Sequence, residues 1–252
     1  MPTFVHGKAT KVYMDEFEMS TWLNSAEMAM TTDTAEVTSF NSTSRAYIKG
    51  ISDGTVSLSG MWSADTDGSD EELHALLGNA TTPLITVAEN GDGIGNSAIM
   101  AQAHEVNYSI SNPVSDVSTV TADFNSSAAN RPDFYGIRSG VQLTAGASID
   151  YNALGNLTGH NHGSQTTGGG MAIIHVPTNS IGGGATTIKV QHDASSGFSS
   201  AADLVSFTNV AASTKTSEIV AISGTIKQYV RVTASTAGSS GSITFMVSLA
   251  RF

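Results

Sequence analysis

Residues 242–250 read Ser242-Ile243-Thr244-Phe245-Met246-Val247-Ser248-Leu249-Ala250. Ile243, Phe245, Val247 and Leu249 recur at every second position, with Thr244, Met246, Ser248 and Ala250 between them. A period of two belongs to a strand, whose successive side chains point to opposite faces. Working back from this stretch, strands are expected at 171–176, 186–192, 204–208, 218–222 and 226–233. Turn-forming clusters at 179–184, 194–200 and 234–241 separate several of them. Short strands at this rhythm predict an all-β sandwich or jelly roll over 171–252.

Upstream, residues 155–170 read GNLTGHNHGSQTTGGG, with no hydrophobic period and three closing glycines. Such a stretch is expected to be a flexible connector. The chain is therefore divided into a β domain at 1–150, a connector at 151–170 and a second β domain at 171–252.

In the first domain, 55–62 alternates, with Val56, Leu58 and Trp62 opposite Thr55, Ser57 and Ser59. Asp53-Gly54 just ahead reads as a hairpin turn. Val106, Tyr108 and Ile110 alternate over 104–110. Residues 114–124 are rich in Val, Thr and Phe without clean alternation, and 90–96 reads as a hairpin loop. One helix is expected near 70–77. Ser69 and Glu72 have the spacing of a capping box, and Asp70, Glu71 and Glu72 place negative charge on the first turn. Leu73, Leu76 and Leu77 supply an apolar face, and Gly78 ends it. So short a helix must dock on a sheet, because it is unstable alone in water. A second short helix is expected over 20–28.

Composition excludes several classes. In 252 residues and 26.0 kDa, a quarter of the chain is Ser or Thr and 25 residues are Gly. These are poor helix formers, and no sustained heptads suggest a coiled coil. Apolar content of 40% is too high for a wholly disordered chain. No run approaches the ~18 apolar residues of a membrane helix, and residues 1–11 have no signal-peptide core. Cys is absent, which removes disulfides and thiolate metal sites and fits synthesis in a reducing cytoplasm.

Charge is uneven. Residues 1–140 carry 18 acids against six bases, and 141–252 carry four acids against five bases. An acidic half without clustered Lys and Arg is a poor nucleic-acid grip.

No catalytic constellation emerges. His160 and His162 are the only closely spaced histidines, and the expected connector around them lacks the fixed shell a metal needs. Asp65, Asp67, Asp70, Glu71 and Glu72 miss the EF-hand spacing and read as a helix start. Gly91-Asp92-Gly93-Ile94-Gly95-Asn96 lacks the Lys-Ser/Thr of a phosphate loop and reads as a turn. Sequons at Asn41, Asn79, Asn125 and Asn156 are what chance supplies in a Ser/Thr-rich chain. No cofactor is expected, and the chain reads as a structural or binding protein rather than an enzyme.

Several stretches resemble the major tail protein, or tail tube protein, of long non-contractile-tailed bacteriophages. Phe4-Val5-His6-Gly7-Lys8, with Val12-Tyr13 and Asp15, resembles that family's opening strand. The fullest likeness runs from Glu36-Val37-Thr38-Ser39-Phe40 through Ala46-Tyr47-Ile48-Lys49-Gly50-Ile51-Ser52-Asp53-Gly54 to Val56-Ser57-Leu58-Ser59-Gly60-Met61-Trp62. In the second half, Ile188-Lys189-Val190-Gln191-His192-Asp193 and Tyr229-Val230-Arg231-Val232 are similar to β-rich C-terminal regions of such proteins.

The resemblance implies a mainly β, tail-tube-type sandwich or barrel with one docked helix, followed by an exterior β-sandwich. It implies a virion protein whose hexameric rings stack into a tube through which DNA is ejected without specific binding. Tail terminator, tape measure and distal tail proteins would be its partners, with no membrane. An acidic bore would repel phosphate, and strand edges would join copies. The loop from Phe40 to Lys49, with Arg45 and Tyr47 within it, is the expected inter-subunit contact. The alternative is a carbohydrate- or receptor-binding sandwich. For that reading Phe198, Tyr229 and Phe252 are the aromatic candidates, although packing is the more common role of such residues.

Overall fold

The structure, a computed structural model, describes residues 6–80, 82–127 and 137–252. It is mainly β. In chain order the strands are β1 (Lys11–Met14), β2 (Phe17–Glu18), β3 (Leu23–Glu36), β4 (Tyr47–Met61), β5 (Leu84–Ala88), β6 (Ser97–Ser111), β7 (Thr119–Ser126), β8 (Ile137–Gln142) and β9 (Ser148–Asp150). They continue as β10 (His160–Asn161), β11 (Gly170–Asn179), β12 (Thr186–Asp193), β13 (Ala202–Ser206), β14 (Thr216–Ile222), β15 (Tyr229–Thr236) and β16 (Ser242–Arg251). One α-helix, α1 (Ser69–His74), falls between β4 and β5.

The chain forms two compact units. A sandwich unit comprises Met1–Thr21, Pro83–Met100 and Arg138–Phe252; a hairpin unit comprises Trp22–Thr82 and Ala101–Ile137. These boundaries run differently from the expected 1–150, 151–170 and 171–252. The reason is pairing: β8 and β9, from the expected first domain, both lie against β16.

In the sandwich unit one sheet follows the order β14-β11-β16-β8-β6-β5-β1-β2, with β6 contributing its first residues, and a second runs β10-β15-β12-β13. Neither closes into a barrel among the described residues. Ile243, Phe245, Val247 and Leu249 of β16 join Ile174 and Val176 of β11, Ile188 and Val190 of β12, and Val230 and Val232 of β15 in one core. All six strands expected beyond residue 171 are present. Met246, Ser248 and Ala250 on the other face of β16 are buried as well, in register with His175, Ile173 and Met171.

The expected connector is strapped to this sandwich. Its segment β10 pairs with β15, Leu157 N donates to Val232 O, Thr166 bridges Ile226, and Arg251 Nη1 donates to Ser164 O. Backbone pairing orders a segment that has no apolar period.

The hairpin unit is a four-stranded antiparallel sheet in the order β3-β4-β7-β6. Val56 and Leu58 of β4, Val120, Ala122 and Phe124 of β7, and Leu73 of α1 form its core. The Asp53-Gly54 hairpin turn is corrected: both residues lie inside β4, paired with Thr31 and Met30. The helix expected over 20–28 is corrected too, since β3 begins at Leu23 and pairs with β4. α1 is where it was expected, but its N-cap is Gly68. Ser69 Oγ instead donates to Met61 O and accepts from Ser63 N, tying the helix to the end of β4. Residues 90–96 connect the adjacent strands β5 and β6, as expected of a hairpin loop. Of the opening stretch, Phe4 and Val5 lie outside the described residues; Gly7–Ala9 form a 3₁₀ turn ahead of β1.

Candidate assembly surface

Strand register sorts the hairpin unit's sheet into two unlike faces. Across from the core face, Thr55 pairs with Asn125, Ser57 with Asp123 and Ser59 with Thr121. β3 adds Glu27 beside Ser57, Ala29 beside Thr55 and Thr31 beside Asp53. β6 adds Asn107 beside Asp123 and Ser109 beside Thr121. Directly opposed residues share a face, so this face carries small side chains, mostly hydroxyls and amides, with His104 beside Asn125 and three carboxylates, Glu27, Asp53 and Asp123. No Lys or Arg occupies these positions.

Two of the carboxylates are held in place. Asp123 accepts from Ser57 Oγ at 2.6 Å and from Asn107 Nδ2 at 2.8 Å, and these bonds keep its carboxyl below the usual range. Asp53 accepts from Gly54 N at 2.7 Å and Ser126 Oγ at 3.2 Å.

The sheet leaves backbone edges open. Among the described residues, β3 pairs only with β4, and residues 105–111 of β6 pair only with β7. Because β7 covers β4 only from Thr55 to Met61, the preceding part of β4 and its partner in β3 form a two-stranded arm. Eight residues of β4 extend beyond that cover, roughly 26 Å at about 3.3 Å per residue. Isolated hairpins are marginal in water.

The expected contact residues sit on this arm. Phe40 lies at its tip, fully exposed. Arg45 is exposed, with Nε 4.0 Å from Glu36 Oε1. Tyr47 is 53% exposed. Tyr47 and Lys49 belong to β4 and not to a loop, because Tyr47 pairs with Glu36 and Lys49 with Thr34. Met30, Val37 and Ile48 are further exposed apolar residues of the same hairpin.

Other sequence candidates fall elsewhere. The His160 and His162 rings are 4.6 Å apart, and burial pushes His162 down to about 3. No group of three metal-ligating side chains gathers among the described residues. Phe198 lies under the Arg231 guanidinium at 4.5 Å, and Phe252 under that of Arg138 at 4.8 Å. Gly159 packs against the Phe198 ring, where a Cβ would come within 2.6 Å. Two features escaped the sequence reading. The shared face of Glu27, Asp53 and Asp123 was legible only with the register of three strands. Glu105 is 7% exposed with no partner for either carboxylate oxygen, and burial pushes it up to about 7. No helix of the described chain is long and apolar enough to cross a membrane.

No family model and no curated protein matches the sequence. Solved structures show partial likeness. The tail of an empty gene transfer agent particle, refined helically with C6 symmetry, is 15% identical with a TM-score of 0.37, over 43% of this chain and 79% of that one. A chain of the native gene transfer agent virion is 17% identical with a TM-score of 0.42, over 50% of this chain and 96% of that one. The Dit protein of phage SPP1, from the hub adsorption apparatus of phages infecting Gram-positive bacteria, is 11% identical with a TM-score of 0.35, over 96% and 99%.

Proposed function

We propose that this chain is a non-catalytic structural subunit of a phage-type tail, assembling with copies of itself into stacked hexameric rings whose bore lets DNA pass. The observation that carries this reading is the hairpin unit's sheet: open at both edges, polar and acidic on one face, and without Lys or Arg on that face. A β3 edge of one copy is complementary to a β6 edge of the next, since both present unpaired backbone donors and acceptors. Such a contact is heterologous and closes into a ring. Six copies would contribute about 24 strands at roughly 4.8 Å spacing, a perimeter of about 115 Å and a diameter near 37 Å before strand tilt widens it.

The polar face would line that bore. Its carboxylates repel phosphate within about 8 Å at physiological salt. Cations there would exchange with the counterions of DNA and hold it. The particle's terminator, tape measure and distal proteins would meet the ends of the tube.

Electron microscopy of the purified full chain tests the assembly: six-fold rings or tubes are expected. Single chains at every concentration refute it. Glu27→Lys with Asp53→Lys is expected to leave tubes intact and slow DNA ejection from particles. Unchanged ejection would refute the electrostatic part.

A further inference from the structure

In the long sheet of the sandwich unit, β14 and β11 stand at one end of the strand order and β5, β1 and β2 at the other. Among the described residues no backbone ladder joins these ends. Side chains do. Asp15 begins the two-residue turn between β1 and β2, where Met14 pairs with Phe17. Its φ is 45°, in the left-handed region that Gly, Asn and Asp tolerate best. Its carboxylate Oδ1 accepts from Leu84 N of β5 at 2.9 Å and from Ser217 Oγ of β14 at 3.2 Å. Its backbone carbonyl accepts from His175 Nδ1–H of β11 at 2.6 Å. The His175 ring is fully buried, with Nε2 accepting from Thr86 Oγ1 of β5 at 2.8 Å and Tyr13 of β1 stacked at 5.8 Å. Asp15 and His175 together thus tie one end of the sheet to the other.

An Asn at position 15 would tolerate the same φ and offer the same acceptor without a charge. The ionisable residue is the costlier choice. Desolvation penalises its carboxylate and Glu16 beside it repels it, so the Asp15 carboxyl is pushed up to about 6 despite the bonds from Leu84 and Ser217. Desolvation favours the neutral form of His175 and pushes it down to about 4. The other charged groups near this node are engaged elsewhere. Glu18 pairs with Lys11, Lys215 Nζ stands 4.9 Å from the centre of the Phe17 ring, and Glu218 accepts from Thr208 N at 2.7 Å.

Folding therefore takes up a proton at Asp15 and releases one at His175. The stability from Asp15 is full below about pH 4 and is lost as pH rises through about 6. The stability from His175 is full above about pH 6.5 and is lost as pH falls toward 4. The two losses run in opposite directions over nearly the same range.

We propose that Asp15 and His175 form a compensating proton pair that keeps this closure of the sheet nearly equally firm from about pH 4 to neutral solution. Either group alone would make the closure pH-dependent. The pairing accounts for an ionisable residue in a turn that Asn fits. It acts within a single chain and does not depend on assembly.

The test uses the full chain as wild type, Asp15→Asn, His175→Asn and the double variant, with circular dichroism to check that each folds. Urea denaturation from pH 4 to 7.5 gives the unfolding constant of each. Dividing by the wild-type value at each pH cancels the other titrating groups, Glu105 included. For Asp15→Asn this ratio is expected to fall by up to about a hundredfold as pH rises from 4 to 7.5. For His175→Asn it is expected to rise by a similar factor over the same range, on top of a constant loss from the smaller side chain. For the double variant the two slopes cancel and the ratio stays nearly level. A ratio for Asp15→Asn that does not change with pH overturns the proposal, and that variant alone decides if His175→Asn does not fold. A double variant with a slope as steep as either single one overturns it as well.

Discussion

Glu105→Gln offers the sharpest test of the hairpin unit's interior. Glu105 lies on β6 opposite Phe124 of β7, on the sheet face that packs the core. Phe124 is fully buried, Glu105 is 7% exposed, and neither carboxylate oxygen finds a partner. Burial without compensation penalises the charged form, which moves the carboxyl from 4.5 to about 7. At about 1.36 kcal/mol per unit, ionised Glu105 costs the fold about 3 kcal/mol; the residual exposure makes this an upper figure. The folded state holds the proton more tightly than the unfolded state. Wild-type stability from this group is therefore full below about pH 4.5, declines as pH rises toward 7, and levels off above it. Gln cannot ionise. The stability of Glu105→Gln relative to wild type is expected to rise from near zero at pH 4.5 to about 3 kcal/mol at pH 8. Urea denaturation of both proteins in dilute solution, at a series of pH values, measures this difference and cancels the groups the two share. A difference that stays constant between pH 4.5 and 8 would show that Glu105 titrates as an ordinary solvated carboxyl and would refute the reasoning.

Two further perturbations probe the rest of the fold. His175 is fully buried, with Nδ1–H donating to Asp15 O at 2.6 Å and Nε2 accepting from Thr86 Oγ1 at 2.8 Å, and burial pushes it down to about 4. A depressed histidine favours the folded state above about pH 6.5 and loses that contribution as pH falls toward 4. His175→Ala is therefore expected to cost about 3 kcal/mol at pH 7 by cavity and orphaned carbonyl, and visibly less at pH 4, in denaturation curves. Gly60 has no room for a Cβ, which would fall 2.2 Å from Trp22 O and 2.6 Å from Leu23 Cα. Gly60→Ala is expected to lower stability by about 1–3 kcal/mol or more, read as a lower urea midpoint; an unchanged midpoint would mean that β3 and β4 separate there at little cost.

The sequence by itself determined the strands beyond residue 171. The six beyond residue 171 were legible from local β-propensity, with β16 also from alternation, although β16 is buried on its second face as well and β11 on both faces from Gly170 to Val176. The docked helix was legible for a similar reason, from acids followed by leucines, although its cap was misread: Ser69 turns its hydroxyl to Met61 rather than to the helix. Phe40 and Arg45 were legible as an exposed polar loop between strands. Tertiary structure decided what lies beside what. Asp53-Gly54 has the local preference of a turn, yet it runs straight through β4, because β3 continues to pair across it and Ile137 packs where a Cβ at Gly54 would stand. Residues 20–28 hold good helix formers, but a long partner strand outweighs that weak propensity. The glycine-rich stretch at 155–170 is ordered by backbone bonds to β15, which no side-chain pattern records. The acidic face gathers Glu27, Asp53 and Asp123 from three strands. Those neighbourhoods are products of strand register, which follows from non-local burial and pairing, and a single chain read in order does not contain it.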